Sequence, residues 1–537
     1  AVVDVYDPHT FTLTPAPSVA GDLQTERVNT YNGANIYDAA TWQIAVMLGR
    51  AVNGMSTAAG EDAYALIGNQ NTLLREGHSG DSSHPTPAEI KAVTAGSVFV
   101  YNGQRIVDPR QAFSFRMTPR SWLSVDPFVG TDYSRYITLA NAPAGNTEYQ
   151  AGKVSWTDWK PITGENSWAL LLGPLQAASL HYRIEKKSTF VPYREPALAN
   201  ALAALPTFAA MQSPLGAVYY APAGTVANQG DQLVDPYFAA VENNISLYAG
   251  LQVLQSVLQA TLSRDKDISA ADRADIDTAL QLSRAMIHGG NIGARDKPRT
   301  TEGLLAFFKN AAWQDGEFVQ GGRADAPGDA NRWRPNLETK AVDVNTWGVA
   351  ALGGKQIDEW FGFGAGYRNW SQVKRWGGCG KGATLWGVGF SDRDGNGLDQ
   401  DGNFRQGVMS VEWTAGAVTM VRSLIAHYRA IPEDSPNYDQ ARQFAESLRK
   451  DEQSMLAAME NLRTDTYASA DFNGKPKNYN ALFPLSTKPY LYASTRYFIP
   501  FGWYANPIPS TCATSWMVMV NNHYNPFVPG GGLENKR

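Results

Sequence analysis

Three stretches open in the same way: Val241-Glu-Asn-Asn-Ile-Ser-Leu-Tyr248, Val342-Asp-Val-Asn-Thr-Trp347 and Val411-Glu-Trp-Thr-Ala-Gly416. In each, a valine precedes an acidic residue, and apolar residues then follow with helical spacing. An acidic side chain is favoured at a helix start because the first N–H groups have no partner within the helix and the helix dipole is positive there. The pattern therefore predicts one type of helix start that is used repeatedly.

Three further segments extend these predicted helix starts to six. Asp38 precedes Trp42, Glu165 precedes Trp168 in Thr163-Gly-Glu-Asn-Ser-Trp168, and the last segment is Ser510-Thr-Cys-Ala-Thr-Ser-Trp516. Each interval between them leaves room for a partner helix. Six helix pairs whose inner helices begin at the same end predict a mainly α chain, folded as an (α/α)6 toroid with long loops.

Helical periodicity covers much of the chain. It predicts helices over residues 37–50, 167–180, 196–211, 236–263, 270–288, 343–352, 407–429, 438–462 and 511–520. Between about residues 97 and 160, short runs rich in Val, Phe, Tyr and Thr alternate with Gly and Pro, which predicts a small inserted β element. No polar linker separates two halves, so residues 1–537 are expected to form a single catalytic domain.

Charge and apolar runs exclude two classes of protein. The formal net charge is −5 and the isoelectric point is near 5.9, whereas a nucleic-acid partner requires a basic face. Long apolar runs such as residues 168–172 are far shorter than the roughly 20 residues that span a bilayer. The opening Ala-Val-Val-Asp resembles the product of signal-peptide cleavage, so we expect a secreted or periplasmic protein.

Cysteine content bounds the covalent chemistry. Cys379 and Cys512 are the two cysteines, which allows either one disulfide or two free thiols and is too few for a zinc site. The sequence also has no glycine-rich nucleotide-binding motif and no His-Glu-x-x-His zinc motif.

Aromatic residues are abundant, with 15 Trp, 24 Tyr and 21 Phe, and many Trp lie beside polar or charged residues. Aromatic faces in polar surroundings suit sugar rings, whose C–H patches stack on the ring while hydroxyl groups reach polar neighbours. The alternative is that these rings fix long loops to the core. Together with the acidic helix starts, they favour a carbohydrate ligand.

The helix starts around Glu165, Glu242, Asp343 and Glu412 resemble those of the six-hairpin glycosidase-like group of carbohydrate-active enzymes. That group includes hydrolases and, with related toroids, polysaccharide lyases. The likeness covers most of the chain. The resemblance implies a polysaccharide or oligosaccharide substrate. It also implies hydrolysis with inversion of the anomeric configuration, as in most toroidal hydrolases.

Glycoside hydrolysis requires two carboxyl groups, one protonated to release the leaving oxygen and one ionised to activate water or attack the sugar. Glu242 and Glu412 are the leading catalytic candidates, followed by Glu165 and Asp343. The alternative is that each acid merely stabilises its helix start. A raised pKa would require an apolar wall, which Trp168, Trp347 or Trp413 could supply.

Two other functions stay open: a lyase that removes a proton from a uronate by means of Tyr, His, Arg and Asn, and a glycan-binding protein without catalysis. Loss of Glu242 and Glu412 would distinguish the glycan-binding protein from the hydrolase, because binding would be largely unchanged. The predicted substrate-binding residues are Asn243, Asn244, Trp347, Trp360, Arg368, Trp370, Tyr492, Arg496, Trp503 and His523.

No cofactor is required for either reaction, but one segment resembles half of a calcium loop. Asp392, Asp394, Asn396 and Asp399 alternate with glycines in Asp392-Arg-Asp-Gly-Asn-Gly-Leu-Asp399. Asn403 stands where a Glu should close such a loop, so a polar turn held by its own side chains is the alternative. A bound calcium ion would brace the loop that precedes Glu412. The oligomeric state is not predicted.

Overall fold

The computed structural model divides into two compact units. The N-terminal unit comprises Ala16–Phe307 and Gly322–Arg334, and the C-terminal unit comprises Ala1–Pro15, Phe308–Gly321 and Pro335–Arg537. The single catalytic domain therefore stays a prediction. The structure describes residues 5–7, 12–14, 36–53, 64, 97–101, 104–108, 136–138, 153–155, 162–184, 186–221, 234–293, 296–466, 488–501, 503–505, 507 and 509–536.

Helices dominate the described part of the N-terminal unit. They are α1 (Ile36–Asn53), α2 (Thr163–Ser167), α3 (Gly173–Ile184), α4 (Pro196–Ala210), α5 (Val241–Arg264), α6 (Ala270–His288) and α7 (Leu304–Phe307). A π-helical turn, Trp168–Leu172, joins α2 to α3. Helix α5 packs against α2 and α6, and α3 packs against α1 and α4.

The C-terminal unit is also mainly helical. It contains a π-helical turn, Phe308–Ala312, followed by α8 (Val342–Leu352), α9 (Gly354–Phe361), α10 (Ala365–Gly377), α11 (Val411–Arg429), α12 (Tyr438–Glu460), α13 (Thr511–Asn521) and a final 3-10 segment, Pro529–Lys536. Helix α11 is central, because it packs against α8, α12 and α13. The predicted mainly α class is confirmed, while the closed ring stays a prediction.

The strands are short and connect helices. They are β1 (Val5–Asp7), β2 (Thr12–Thr14), β3 (Ser97–Tyr101), β4 (Gln104–Asp108), β5 (Tyr136–Thr138), β6 (Lys153–Ser155), β7 (Phe238–Ala240), β8 (Gly290–Asn291), β9 (Thr300–Thr301), β10 (Trp313–Gln314), β11 (Glu317–Phe318), β12 (Gly321–Ala324), β13 (Trp333–Asn336), β14 (Gly378–Lys381), β15 (Thr384–Val388), β16 (Tyr497–Ile499) and β17 (Trp503–Ala505). Most form antiparallel pairs, and β7, β12 and β13 form a sheet in the order β13-β12-β7. The pairs β3–β4 and β5–β6 confirm the predicted β element between residues 97 and 160.

The predicted helices differ from the observed ones mainly at their starts. Helices α5 and α11 begin several residues later than predicted, because Ala240 and Ser410 keep extended backbones just before the first turn. Helices α9 and α10 were not predicted, since glycines interrupt the periodicity there. Gly362 and Gly364 both have positive φ angles, which end one helix and begin the next.

A repeated hydrogen-bond clamp fixes the inner helix starts. The fourth residue of α5, Asn244, accepts a hydrogen bond from the N–H of Val218 and donates to its carbonyl. Asn345 in α8 binds Phe318 of β11 in the same way. In both cases the amide also donates to the carbonyl that precedes the helix, so the side chain holds backbone groups on both sides.

The same clamp recurs with threonine in α11. The hydroxyl of Thr414 accepts from the N–H of Val388 and donates to its carbonyl. The clamped residues are 26, 27 and 26 positions apart in α5, α8 and α11. In α13 the hydroxyl of Thr514 accepts from the N–H of Tyr490, 24 positions away. These helices are thus the ends of equivalent structural repeats, as the shared sequence pattern predicts.

Both cysteines are buried free thiols. Burial raises the pKa of Cys379 to about 12, so this group stays a neutral thiol. Of the two alternatives left by the sequence, free thiols are the observed one. Within the described part of the chain, no helix combines the length and apolar character that a membrane span needs.

Candidate functional site

Three acidic residues occupy the same position in three helices. The residues that precede the first turns of α5, α8 and α11 are Ala240, Ala341 and Ser410, which places Glu242, Asp343 and Glu412 second in their helices. In α13 the equivalent position holds a buried cysteine instead. Because the clamp fixes each helix start, it also fixes the Cα position of each of these acidic residues.

Asp343 and Glu412 form an interacting carboxyl pair in the C-terminal unit. Asp343 is half-buried and Glu412 is buried, with 5% of its surface exposed. The pKa of Asp343 rises from its ordinary 3.8 to about 7. Burial is the main cause, the N–H of Val344 opposes it by donating to Oδ1 at 2.7 Å, and the nearby charge of Glu412 raises the pKa further.

An aromatic wall stands beside this carboxyl pair. The carbonyl of Phe390 accepts from the N–H of Val342, directly before Asp343, and the Phe390 ring meets the Trp413 ring edge-on at 4.9 Å. Tyr492 lies 5.9 Å from Phe390, and Phe501 stacks on Trp413 at 6.2 Å. Apolar rings that come close to a carboxyl group favour its neutral, protonated form.

Glu242 in the N-terminal unit has a different environment. It is half-buried, and its Oε1 accepts from the hydroxyl of Ser246 at 2.8 Å. The indole N–H of Trp168 donates to that same hydroxyl oxygen at 3.0 Å. Because Ser246 accepts from Trp168, its own proton is directed at Glu242, and a donor directed at a carboxylate stabilises the ionised form.

Asn243 and Asn244, the two residues after Glu242, have separate roles. With its amide oriented so that both polar atoms are satisfied, Asn243 donates to Glu242 Oε2 at 2.5 Å and accepts from the N–H of Gly164. Glu165, one residue after Gly164, is buried with 8% of its surface exposed. Asn244 is fully buried in its clamp, so it supports the helix start and is left out of the proposed site.

Ser246 was not among the residues selected from the sequence. It follows Glu242 by four positions, and side chains four apart share one face of a helix. That spacing was therefore a usable signal for a partner of the acid. The same reasoning could not reveal Trp168, which comes from another helix.

Some predicted substrate-binding residues lie in the core of the C-terminal unit. Trp347 has 3% of its surface exposed and stacks on Trp516 at 5.7 Å. Trp370 is fully buried, and its indole N–H donates to Asp451 at 2.8 Å. A ring without exposed area has no face for a sugar, so both are left out of the proposed site. For Trp370, the polar neighbours in the sequence suggest a surface position.

Other predicted substrate-binding residues lie near the last turn of α11, at the end opposite Glu412. Asp358 of α9 contacts His427 in the last turn of α11, and Trp360 lies two residues further along α9. Arg368 donates to the carbonyl of Phe363, close to the same end. At about 1.5 Å per residue, the 19 residues of α11 put this end more than about 20 Å from Glu412.

The C-terminal candidates divide by their places along the chain. The carbonyl of Tyr492 accepts from the N–H of Val411, next to Glu412, and Arg496 follows four residues later. His523 is exposed after the last turn of α13, opposite its start. Trp503 has its backbone in β17, and its side chain lies outside the described residues. Of these four, Tyr492 is thus the one whose backbone is bonded next to Glu412.

The loop that resembles a calcium site uses its side chains on backbone groups. Asp394 accepts from the N–H groups of Phe390 and Ser391, and Asp399 accepts from the N–H groups of Asp401 and Asn403. The oxygen of Asp392 accepts from the N–H of Lys340, and the amide of Asn396 donates to the carbonyls of Gly377 and Val408. These bonds are those of a polar turn. In the described ranges, no three side chains of His, Cys, Asp or Glu come together as metal ligands, and the calcium site stays a prediction.

Comparisons with known proteins give weak likenesses only. No protein-family model and no curated protein sequence matches this chain. One similar solved structure is an unsaturated glucuronyl hydrolase, responsible for the degradation of glycosaminoglycan, from Bacillus sp. GL1; the match has 9% identity and a TM-score of 0.31, and it covers 71% of this chain and 81% of the other.

A second similar structure is an aspartate-to-asparagine variant designated UGL, with the saccharide dGlcA-Glc-Rha-Glc. It has 9% identity and a TM-score of 0.32, and it covers the same shares of the two chains, 71% and 81%. At such TM-scores the likeness supports no conclusion about fold or function. A function can therefore be inferred only from the residues of this chain and their geometry.

Proposed function

We propose that this chain is a glycoside hydrolase that cleaves a polysaccharide or oligosaccharide with the carboxyl pair Asp343 and Glu412. The observation that carries the proposal is the raised pKa of Asp343, to about 7, beside a second carboxyl group. A group with this pKa is about half protonated at neutral pH, so it can donate a proton there and later be reprotonated.

The paired environment favours separate roles for the two groups. Two carboxyl groups that interact share one proton over a range of pH, since ionising both is costly. Asp343 takes the role of proton donor because its neutral form is favoured by burial. Glu412 takes the role of the ionised partner.

Hydrolysis then follows as a single displacement. Asp343 gives its proton to the glycosidic oxygen as the bond from that oxygen to the anomeric carbon breaks. Glu412 takes a proton from the water whose oxygen forms the new bond to that carbon. Attack from the face opposite the leaving group inverts the anomeric centre. Asp343 leaves the step ionised and Glu412 protonated, and exchange with solvent restores both.

The proposal is tested with a panel of neutral and uronate-containing glycans, following new reducing ends and absorbance near 235 nm together. Asp343→Asn and Glu412→Gln should each lower kcat/KM by about 10²- to 10⁴-fold, the usual contribution of a general acid or base. Asp439→Asn is the matched control, because Asp439 holds the same second position in α12 but is exposed. The control should retain wild-type activity.

Three results would contradict the hydrolase. Reducing ends that persist in both variants would show that the pair is not catalytic. A rise near 235 nm that survives both variants would indicate β-elimination, and Tyr492, whose carbonyl binds the N–H of Val411 at the start of α11, would then be tested together with Arg496. Binding without cleavage of any glycan, unchanged by the variants, would indicate a glycan-binding protein.

A further inference from the structure

Three loops of the C-terminal unit meet at the start of α8. Residues 340–342 run beside residues 390–392, with a bridge between Ala341 and Ser391. The N–H of Lys340 donates to Asp392 Oδ1 at 3.0 Å, three residues before Asp343. A third segment joins through Tyr497, whose hydroxyl donates to the carbonyl of Arg393 at 2.9 Å. These contacts hold the three loops together within a few residues of Asp343 along the chain.

An aromatic face and an amine are fixed together in this place. The carboxylate of Glu317, itself buried with 7% of its surface exposed, accepts from the indole N–H of Trp376 and from the ammonium group of Lys340. The ammonium group lies 5.9 Å from the centre of the Trp376 ring. Trp376 stays half-exposed and the Lys340 side chain is 49% exposed, so both remain open to a ligand.

Arg393 adds a positive charge that has no acidic partner among the residues the structure describes. Its guanidinium group donates to the carbonyl of Glu338, and among the described residues it makes no ion pair. Two large apolar side chains flank it along the joined loops: Leu337 with 68% of its surface exposed and Phe498 with 51%. Exposed apolar side chains beside a cation resemble a binding surface more than an ordinary loop.

We propose that Lys340, Trp376 and Arg393 form a subsite for an acidic sugar next to the carboxyl pair, with the Trp376 ring stacking on the pyranose and Arg393 binding its carboxylate. The inference rests on the proposed function and narrows its substrate to uronate-containing glycans. Arginine presents two parallel N–H groups that match a carboxylate, and stacking needs a half-exposed ring. Glu317 and Asp392 offset part of the positive charge, so the subsite selects among sugars with modest strength.

Binding measured on Glu412→Gln tests the subsite without requiring cleavage. Calorimetric titrations would use oligogalacturonate and oligomannuronate, each next to its carboxyl-reduced form. We expect Arg393→Gln, in that background, to weaken binding of the acidic form by about 5- to 10-fold, the value of one charged hydrogen bond at an exposed site. Lys340→Gln should weaken it less, because Glu317 already shares the ammonium group. Trp376→Ala should weaken both forms.

Arg449→Gln is the control, since Arg449 is exposed on α12 and has no partner among the described residues. It should bind like the parent. Equal loss of acidic and reduced ligands in Arg393→Gln, or no binding of either acidic probe to the parent, would overturn the subsite. Failure of the hydrolase alone looks different: selective binding of acidic glycans would persist while the wild type releases no reducing ends.

Discussion

The stability of the Asp343→Asn variant, measured relative to wild type, should increase as the pH rises. The folded-state pKa of Asp343 is about 7, against 3.8 for an ordinary aspartate. The folded protein therefore binds this proton more tightly than the unfolded chain does, and wild-type stability falls as the pH rises from about 4 to about 7. Asparagine carries no proton to lose, so the variant lacks this fall.

The size of the effect follows from the same pKa difference. About three pKa units at about 1.4 kcal/mol each give an upper bound of about 4 kcal/mol in the free energy of unfolding. Asp343 is only half-buried and shares its titration with Glu412, so we expect about 2 kcal/mol. Above pH 8 the full pH-dependent difference in the free energy of unfolding between wild type and variant is present, and below pH 4 this difference vanishes.

Urea unfolding of wild type and Asp343→Asn between pH 4 and pH 8.5 measures this difference. The stability of the variant relative to wild type should increase through this interval and level off above it. Asp439→Asn, at the same position of α12 but exposed, should lose up to about 1 kcal/mol at neutral pH, since an acid there is favoured by the helix dipole. A difference between wild type and Asp343→Asn that stays constant with pH would refute the raised pKa.

Two further variants test the packing around the acidic helix starts by urea unfolding. Ser246→Ala removes the acceptor of the Trp168 indole N–H and should cost about 1–3 kcal/mol, and an unchanged midpoint would contradict the hydrogen-bond chain to Glu242. Gly416→Ala should cost about 1–3 kcal/mol, because the added methyl group would lie 2.6 Å from Trp347 Nε1. Gly49→Ala is its control, since nothing lies within 4 Å there, and alanine should stabilise the helix by up to about 1 kcal/mol. A comparable loss in both variants would contradict packing against Trp347 as the cause.

The helix starts were predictable because their signal is local. An acid at the second helical position, such as Glu242 or Glu412, responds to the free N–H groups and the dipole of its own helix. Periodicity likewise predicts long amphipathic helices such as α6 and α12. The sequence does not predict the residue that each clamp binds, because Val218 and Val388 carry no side-chain signal: their backbone N–H and carbonyl groups make the bonds.

Site residues were harder to predict because exposure is a property of the packed chain. Trp370 has charged neighbours in sequence, yet its ring is buried and hydrogen-bonded to Asp451. Trp376, only six residues later, is half-exposed, although its indole N–H also donates to an acidic residue, Glu317. Polar neighbours in the sequence therefore do not distinguish the two rings. What differs is how the rest of the chain packs around each of them.

The repeated clamp has a consequence for how this fold can be re-engineered. Each acidic helix start is held by two backbone bonds to one residue of a short strand or turn, through a side chain such as Asn244 or Asn345. Each acid lies inside the stretch between the two clamped residues, two positions before the clamping side chain, so the clamp holds the two ends of that stretch and the acid with its second end. Only the middle of such a stretch is therefore a suitable place to graft a foreign loop while the carboxyl group keeps its place.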